Sequence, residues 1–287
     1  MTHDVLLCTD LDRTVLPNGP QPESSRARQL LRTLAKRPEL TLAYVSGRHL
    51  ALLKQAIDEY DLPLPDFAIG DVGTTIYEVG QRQWCPWNEW YEEIAPDWRG
   101  RSNEDLRKLF EDIELLSLQE AEKQNRLKLS YYAPADTNSD ELVKEIRDRL
   151  RSEGILASVI WSIDEMTKIG LLDVLPAHAT KLHAIRFLMQ HKGFDTGQTV
   201  FAGDSGNDLP VLTSGLQAVL VKNAIDDVRK AAIRQVEAAG YRDCLYMAQG
   251  GLLGMNGNYT AGVLEGLAHF LPFTRQWLQD AAHGTVS

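Results

Sequence analysis

Asp10 and Asp12 stand one residue apart in Cys8-Thr9-Asp10-Leu11-Asp12-Arg13-Thr14, straight after the apolar run Val5-Leu6-Leu7. That run reads as a buried strand. Both carboxylates therefore fall at a C-terminal strand tip, where α/β sheets place ligands. Two carboxylates this close disfavour each other's ionisation unless a cation lies between them. The pair points to a metal-assisted nucleophile with an acid/base partner; the bland alternative is two Asp residues capping a loop. A second acidic tip weighs against that alternative. Thr199-Val200-Phe201-Ala202 is another short apolar run, followed by Gly203-Asp204-Ser205-Gly206-Asn207-Asp208. Its glycines allow close backbone approach. Asp204 and Asp208 offer the oxygen ligands that Mg2+ takes.

Two more segments fit a phosphate. Leu42-Ala43-Tyr44-Val45 ends in Ser46-Gly47-Arg48. A hydroxyl and a small residue at a strand tip suit a phosphoryl oxygen, through the side chain and nearby N–H groups. Lys181 opens a helical pattern of Leu182, Ile185, Leu188 and Met189. A helix start favours anions and disfavours a lysine. A phosphate contact would explain the placement.

These tips need a scaffold. Strands at 5–9, 42–45 and 67–70 alternate with helical patterns at 24–36 and 50–60. The alternation returns after Lys181: a helix to residue 190, a strand at 200–202, a helix at 209–213, a strand at 218–221 and a helix at 225–237. Such alternation implies βαβ units and a parallel sheet. Residues 81–175 differ. They hold helical patterns at 104–115 and 141–151 and strand-like runs at 126–132, 156–161 and 169–174, without strict alternation. The expected fold is α/β. A Rossmann-like parallel-sheet core is built from residues 1–80 and 176–287, and an α+β cap domain is inserted over 81–175.

In order, the four segments resemble the four motifs of the haloacid-dehalogenase-type phosphatases. The similarity is closest to the sucrose-phosphate phosphatase branch. It is also carried by Val72-Gly73-Thr74-Thr75-Ile76-Tyr77, Lys128-Leu129-Ser130-Tyr131-Tyr132, Leu172-Asp173-Val174-Leu175-Pro176, Val221-Lys222-Asn223-Ala224 and the stretch 261–270. One departure is Arg13, where that branch typically has Asn. The resemblance implies Asp10 as nucleophile and Asp12 as general acid/base. Ser46, Gly47 and Lys181 would bind phosphate. Asp10, Asp12 (through its carbonyl), Asp204 and Asp208 would hold Mg2+. Arg48, Lys128, Tyr131 and Asn207 are the candidates for substrate contact. The insertion would be a mobile lid that excludes water.

The implied reaction is Mg2+-dependent hydrolysis of a sugar phosphate through an aspartyl-phosphate. Sucrose 6-phosphate is the first candidate, followed by mannosylfructose phosphate and glucosylglycerol phosphate. Functional coupling to a sugar-phosphate synthase is expected. The rival readings are a phosphosugar mutase and a noncatalytic sensor. A sensor would be expected to lose the nucleophile, and Asp10 and Asp12 are both present.

Bulk properties narrow the partners. With 44% hydrophobic and 24% charged residues, the 287-residue chain has an ordinary globular composition. A formal net charge of −10 argues against nonspecific nucleic-acid binding. An anionic substrate must instead be drawn by local cations. Cys8, Cys85 and Cys244 are odd in number and far apart, so a reducing cytoplasm is expected. The N-terminus has no basic region, and no apolar run suggests a membrane span. Trp84, Trp87 and Trp90 could stack on a sugar, although packing of the cap core or hinge is the more ordinary role.

Overall fold

Short apolar runs become the inner strands of one sheet. The computed structural model describes residues 4–164 and 167–283. Within them the strands are β1 (Val5–Thr9), β2 (Leu40–Val45), β3 (Phe67–Gly70), β4 (Thr75–Val79), β5 (Trp84–Pro86), β6 (Ser117–Leu118), β7 (Leu129–Pro134), β8 (Ala157–Ile163), β9 (Ile169–Pro176), β10 (Thr199–Gly203), β11 (Gln217–Leu220) and β12 (Leu245–Met247). Eight of these form one sheet in the order β12-β11-β10-β1-β2-β3-β4-β5. It is parallel from β12 to β3 and antiparallel at β4 and β5. This is the α/β architecture that the alternation predicts.

β1 is buried at every position, as expected of a central strand covered on both faces. Its side chains alternate. Val5 and Leu7 join the helices Ala27–Leu34, Leu50–Glu59 and Thr260–Phe270 in one apolar layer. Leu6 and Cys8 join the helices Lys181–Lys192 and Asp226–Ala239 in the other. The strand order reverses between β1 and β10, which pair with Thr9 opposite Ala202. A crevice opens at such a switch point, beyond the carboxyl ends of the strands. The Asp10 N–H donates to the Ala202 carbonyl at 2.9 Å. Register alone thus brings the two acidic tips together.

β6, β7, β9 and β8 form a second, antiparallel sheet in that order. The helix Ser139–Ser152 packs on one face through Leu142, Ile146 and Leu150. β5 still belongs to the large sheet, although the expected insertion starts at residue 81. The helix expected over 104–115 is shorter: Asn103–Arg107, then one 3₁₀ turn at Lys108–Phe110. Its buried stripe ends at Phe110, and Leu115 is exposed. The strand expected from residue 126 begins at Leu129. Asn125 and Lys128 first close a tight turn by exchanging backbone hydrogen bonds of 3.1 and 3.3 Å. The helix Thr274–His283 and strands β4, β5 and β12 were not expected from the periodicity. No helix among the described residues is long and apolar enough to cross a membrane.

The β3–β4 turn leans on the helix that carries Lys181. Asp71, Val72 and Gly73 have φ of 52°, 60° and 95°. A Cβ on Gly73 would lie 2.9 Å from the Thr180 carbonyl carbon and 3.2 Å from the Lys181 nitrogen. We therefore expect Gly73→Ala to lose about 1–3 kcal/mol of stability by urea denaturation. A midpoint equal to that of the parent protein would show that the helix start yields freely.

Candidate active site

Lys181 is the hub of the crevice. It is the first residue of its helix, whose N-cap Thr180 accepts the His183 N–H through its hydroxyl at 3.1 Å. The helix start disfavours a cation, so the ammonium must be held by anions. Its Nζ donates to Asp10 Oδ1 at 2.7 Å, Asp208 Oδ1 at 2.8 Å and Asn207 Oδ1 at 3.3 Å. Burial favours the neutral amine, but the two carboxylates outweigh burial and raise its pKa above the ordinary value. Lys181 therefore stays protonated.

The pKa values of Asp10 and Asp204 are raised as well, which for a carboxyl group favours the neutral form. Burial drives the Asp10 pKa upward; Lys181 opposes this, while Asp208 and Asp204 add to it. Asp204 is pushed up to about 6, first by burial and then by Asp208, against the pull of Arg13 and Thr14. The Thr14 hydroxyl lies 3.3 Å from both Asp10 Oδ2 and Asp204 Oδ1. Asp208 braces the loop. Its Oδ2 accepts the N–H groups of Asp204 and Ser205 at 3.1 and 3.2 Å. Gly203 is required there, because a Cβ would meet that carboxylate at 2.7 Å.

Asp10, Asp204 and Asp208 each offer an oxygen within 4.8 Å of the others. Three buried oxygen donors, of which Asp10 and Asp204 resist ionisation without a cation, fit Mg2+ in ligand type and charge. Asp208 is also tied to Lys181 and the loop, which leaves Asp10 and Asp204 as the more available ligands.

Asp12 points elsewhere. Both its oxygens are held by Arg48, with Nε to Oδ2 at 2.8 Å and Nη2 to Oδ1 at 2.6 Å, and Asn18 donates to Oδ1 at 2.8 Å. Burial pushes its pKa up, but the Arg48 hydrogen bonds and charge, helped by Asn18, hold it below an ordinary aspartate. Ser46 is buried, and its Oγ accepts the Arg48 N–H at 3.2 Å. A cavity of about 400 Å³ brings together Asp10, Asp12, Arg13, Ser46, Arg48 and Asp204, with Gly47 and Asn207 on its wall. A second cavity of about 280 Å³ shares Gly47, Arg48 and Leu52 with it and is also lined by Lys123, Lys128 and Tyr132.

Lys128 thus faces the cleft. Its Nζ donates to the Lys123 carbonyl at 3.0 Å and lies 3.8 Å from Asp173 and 4.0 Å from Asp71. Tyr131 does not face the cleft, contrary to the expectation of substrate contact. It is buried, and its ring meets Phe110 edge-on at 6.3 Å. Strand alternation sends Ser130 and Tyr132 to the cleft side and Leu129 and Tyr131 to the core. Parity counted from the first strand residue would have found Tyr132. The tryptophans line neither cavity. Trp90 is fully buried and donates Nε1–H to the Gly73 carbonyl at 3.1 Å. Trp87 stacks on Phe67 at 5.8 Å, and Trp84 meets Tyr77 at 6.0 Å. Cys8 is buried, and burial raises its thiol pKa well above the usual range, so it is no nucleophile. Sequence reasoning also passed over Asn18, Thr14 and Asp71. Thr14 was visible within the first motif; Asn18 and Asp71 carried no separate signal.

Comparison with known proteins gives the family. Residues 3–271 match the family of sucrose-6F-phosphate phosphohydrolases. A HAD-like hydrolase of Nitrosococcus oceani is 60% identical over 279 residues, spanning 97% of this chain and 75% of the relative. The mannosylfructose-phosphate phosphatase of Agrobacterium fabrum is 27% identical over 224 residues, spanning 78% of this chain and 85% of the relative. The fold is similar to that of the sucrose-phosphatase from Synechocystis, solved with sucrose and phosphate. Its TM-score is 0.68 at 24% identity, over 93% of this chain and 98% of that one. Strand-tip carboxylates, a buried lysine between them and a match across nearly the whole sequence lead to one assignment: the chain belongs to the sucrose-6F-phosphate phosphohydrolase family of HAD-like phosphatases.

Proposed function

We propose that this protein is a Mg2+-dependent phosphatase of the cytoplasm that hydrolyses a phosphorylated disaccharide or related glycoside. Sucrose 6-phosphate is the first candidate, and mannosylfructose phosphate and glucosylglycerol phosphate follow. The observation that carries the reading is the placing of Asp10. Its carboxylate lies between Lys181 and Thr14, beside a cavity that adjoins the small sheet through Arg48.

In this reading an Asp10 oxygen bonds to phosphorus as the bond from phosphorus to the sugar oxygen breaks. Asp12 gives that oxygen a proton. It then takes one from the water that attacks the aspartyl-phosphate, and Asp10 is regenerated. Here Asp12 is held as a carboxylate, the form a base needs; donating a proton requires its pair with Arg48 to open. Ser46 and Lys181 hold the phosphoryl oxygens. Mg2+ would be held by Asp10 and Asp204, with Asp208 behind them, and would offset negative charge on the phosphoryl group. The small sheet acts as a cap whose Lys128 and Tyr132 meet the sugar. Coupling to a sugar-phosphate synthase follows from the substrate class.

Three outcomes are expected. Asp10→Asn should abolish phosphate release while the far-ultraviolet dichroism stays native, because an amide oxygen is a far poorer nucleophile; near-parental rates would sink the mechanism. A phosphate-release screen with Mg2+ should rank a phosphorylated disaccharide or glycoside above simple hexose phosphates, whereas a preference for the latter would overturn the substrate class. Lys128→Ala should lower kcat/KM for the preferred substrate about 10- to 100-fold and leave a small aryl phosphate nearly untouched. Equal losses on both would place Lys128 in folding or in phosphate binding.

A further inference from the structure

Three buried carboxylates face two cations in the crevice. Lys181 takes Asp10 and Asp208. The remaining carboxylate, Asp204, meets Arg13, whose Nε lies 3.5 Å from Oδ2. The Arg13 backbone has φ of 58°, a region that few residues other than glycine adopt. It is fixed from both sides. Its N–H donates to Asn18 Oδ1 at 2.8 Å, and its carbonyl accepts from Asn223 Nδ2 at 2.6 Å. Asn223 is itself fixed, because its Oδ1 accepts the Tyr259 N–H at 2.7 Å. Strain of this kind persists only where the surroundings overdetermine it. Here they aim an arginine at a candidate metal ligand.

The contact is poorly satisfied. Arg13 Nε is shut off from water and makes no hydrogen bond among the described residues, which is costly for a charged donor. The side chain as a whole is 38% exposed, so its far end can move to solvent without moving the backbone. A divalent ion on Asp10 and Asp204 would stand within a few ångströms of that guanidinium. Like charges repel strongly at that range in a partly buried site.

We propose that Arg13 is the counter-cation of Asp204 in the metal-free protein and competes with the divalent ion for that carboxylate, so that it weakens metal binding. The inference rests on reading Asp10 and Asp204 as the Mg2+ site. Calorimetric titration of chelator-stripped protein with Mg2+ alone, at fixed ionic strength, separates the two ideas. Arg13→Asn, whose side chain tolerates the left-handed backbone, should bind Mg2+ about tenfold more tightly than the parent. Arg13→Gln should do likewise, so a folding defect in one variant leaves the other to decide. Arg13→Lys keeps the charge and should stay near the parent. In metal-free buffer the two neutral variants should melt lower than the parent and rise further when Mg2+ is added. If the parent binds Mg2+ and both folded neutral variants bind it equally or less tightly, competition is overturned while the metal site stands. If the parent binds no Mg2+ at all, both ideas fall.

Discussion

One ammonium group holds the crevice together. Lys181 reaches Asp10 on the tip of β1 and Asp208 beyond the tip of β10, at 2.7 and 2.8 Å. Without it, three buried carboxylates would repel one another at the switch point of the sheet. With it, negative charge can be concentrated at one point beyond the strand ends. The cost appears in the fold. The lysine must start a helix, where the dipole opposes it. It must also be buried, and a left-handed turn at Asp71–Gly73 packs against that same helix start. An ion pair this buried contributes little net stability over apolar packing, but losing one partner is severe. It is better understood as a device for positioning charge.

The central sheet and its acidic tips were legible in the sequence because each depends on local pattern. β3 was placed at its observed ends, and β1 likewise, since short apolar runs bounded by acids or glycines have few other uses. The tips carried their own chemistry in sequence: Asp10, Ser46, Lys181 and Asp204 all lie in or beside the crevice. What was not legible depends on partners far along the chain. The bidentate grip of Arg48 on Asp12 spans 36 residues, and the support of Asn223 for Arg13 spans 210. Neither leaves a local periodicity. Tyr131 is a different case. Alternation puts it on the same buried face as Leu129, two residues before it, whatever the end of the strand.

The two cavities share Arg48. It lines the cavity of the strand-tip carboxylates and also the cavity that carries Lys128 and Tyr132. Its guanidinium is spent on Asp12, so Asp12 and the cavity beside the small sheet share one side chain. The tryptophans line neither cavity. Trp87 and Trp90 both pack edge-on against Phe187, on the helix that carries Lys181.

Thr14 has one hydroxyl proton and two carboxylates at equal distance, 3.3 Å from each. A single O–H can point at only one of them at a time. The hydroxyl is therefore a rotor, and its resting direction reports which of Asp10 and Asp204 is the more anionic. In the proposed reaction, forming an acyl phosphate on Asp10 would strip the charge from its carboxyl oxygens and turn the rotor toward Asp204. On that reading the same small group would turn back when the acyl phosphate is hydrolysed, marking each half of the proposed cycle with a reorientation about one bond.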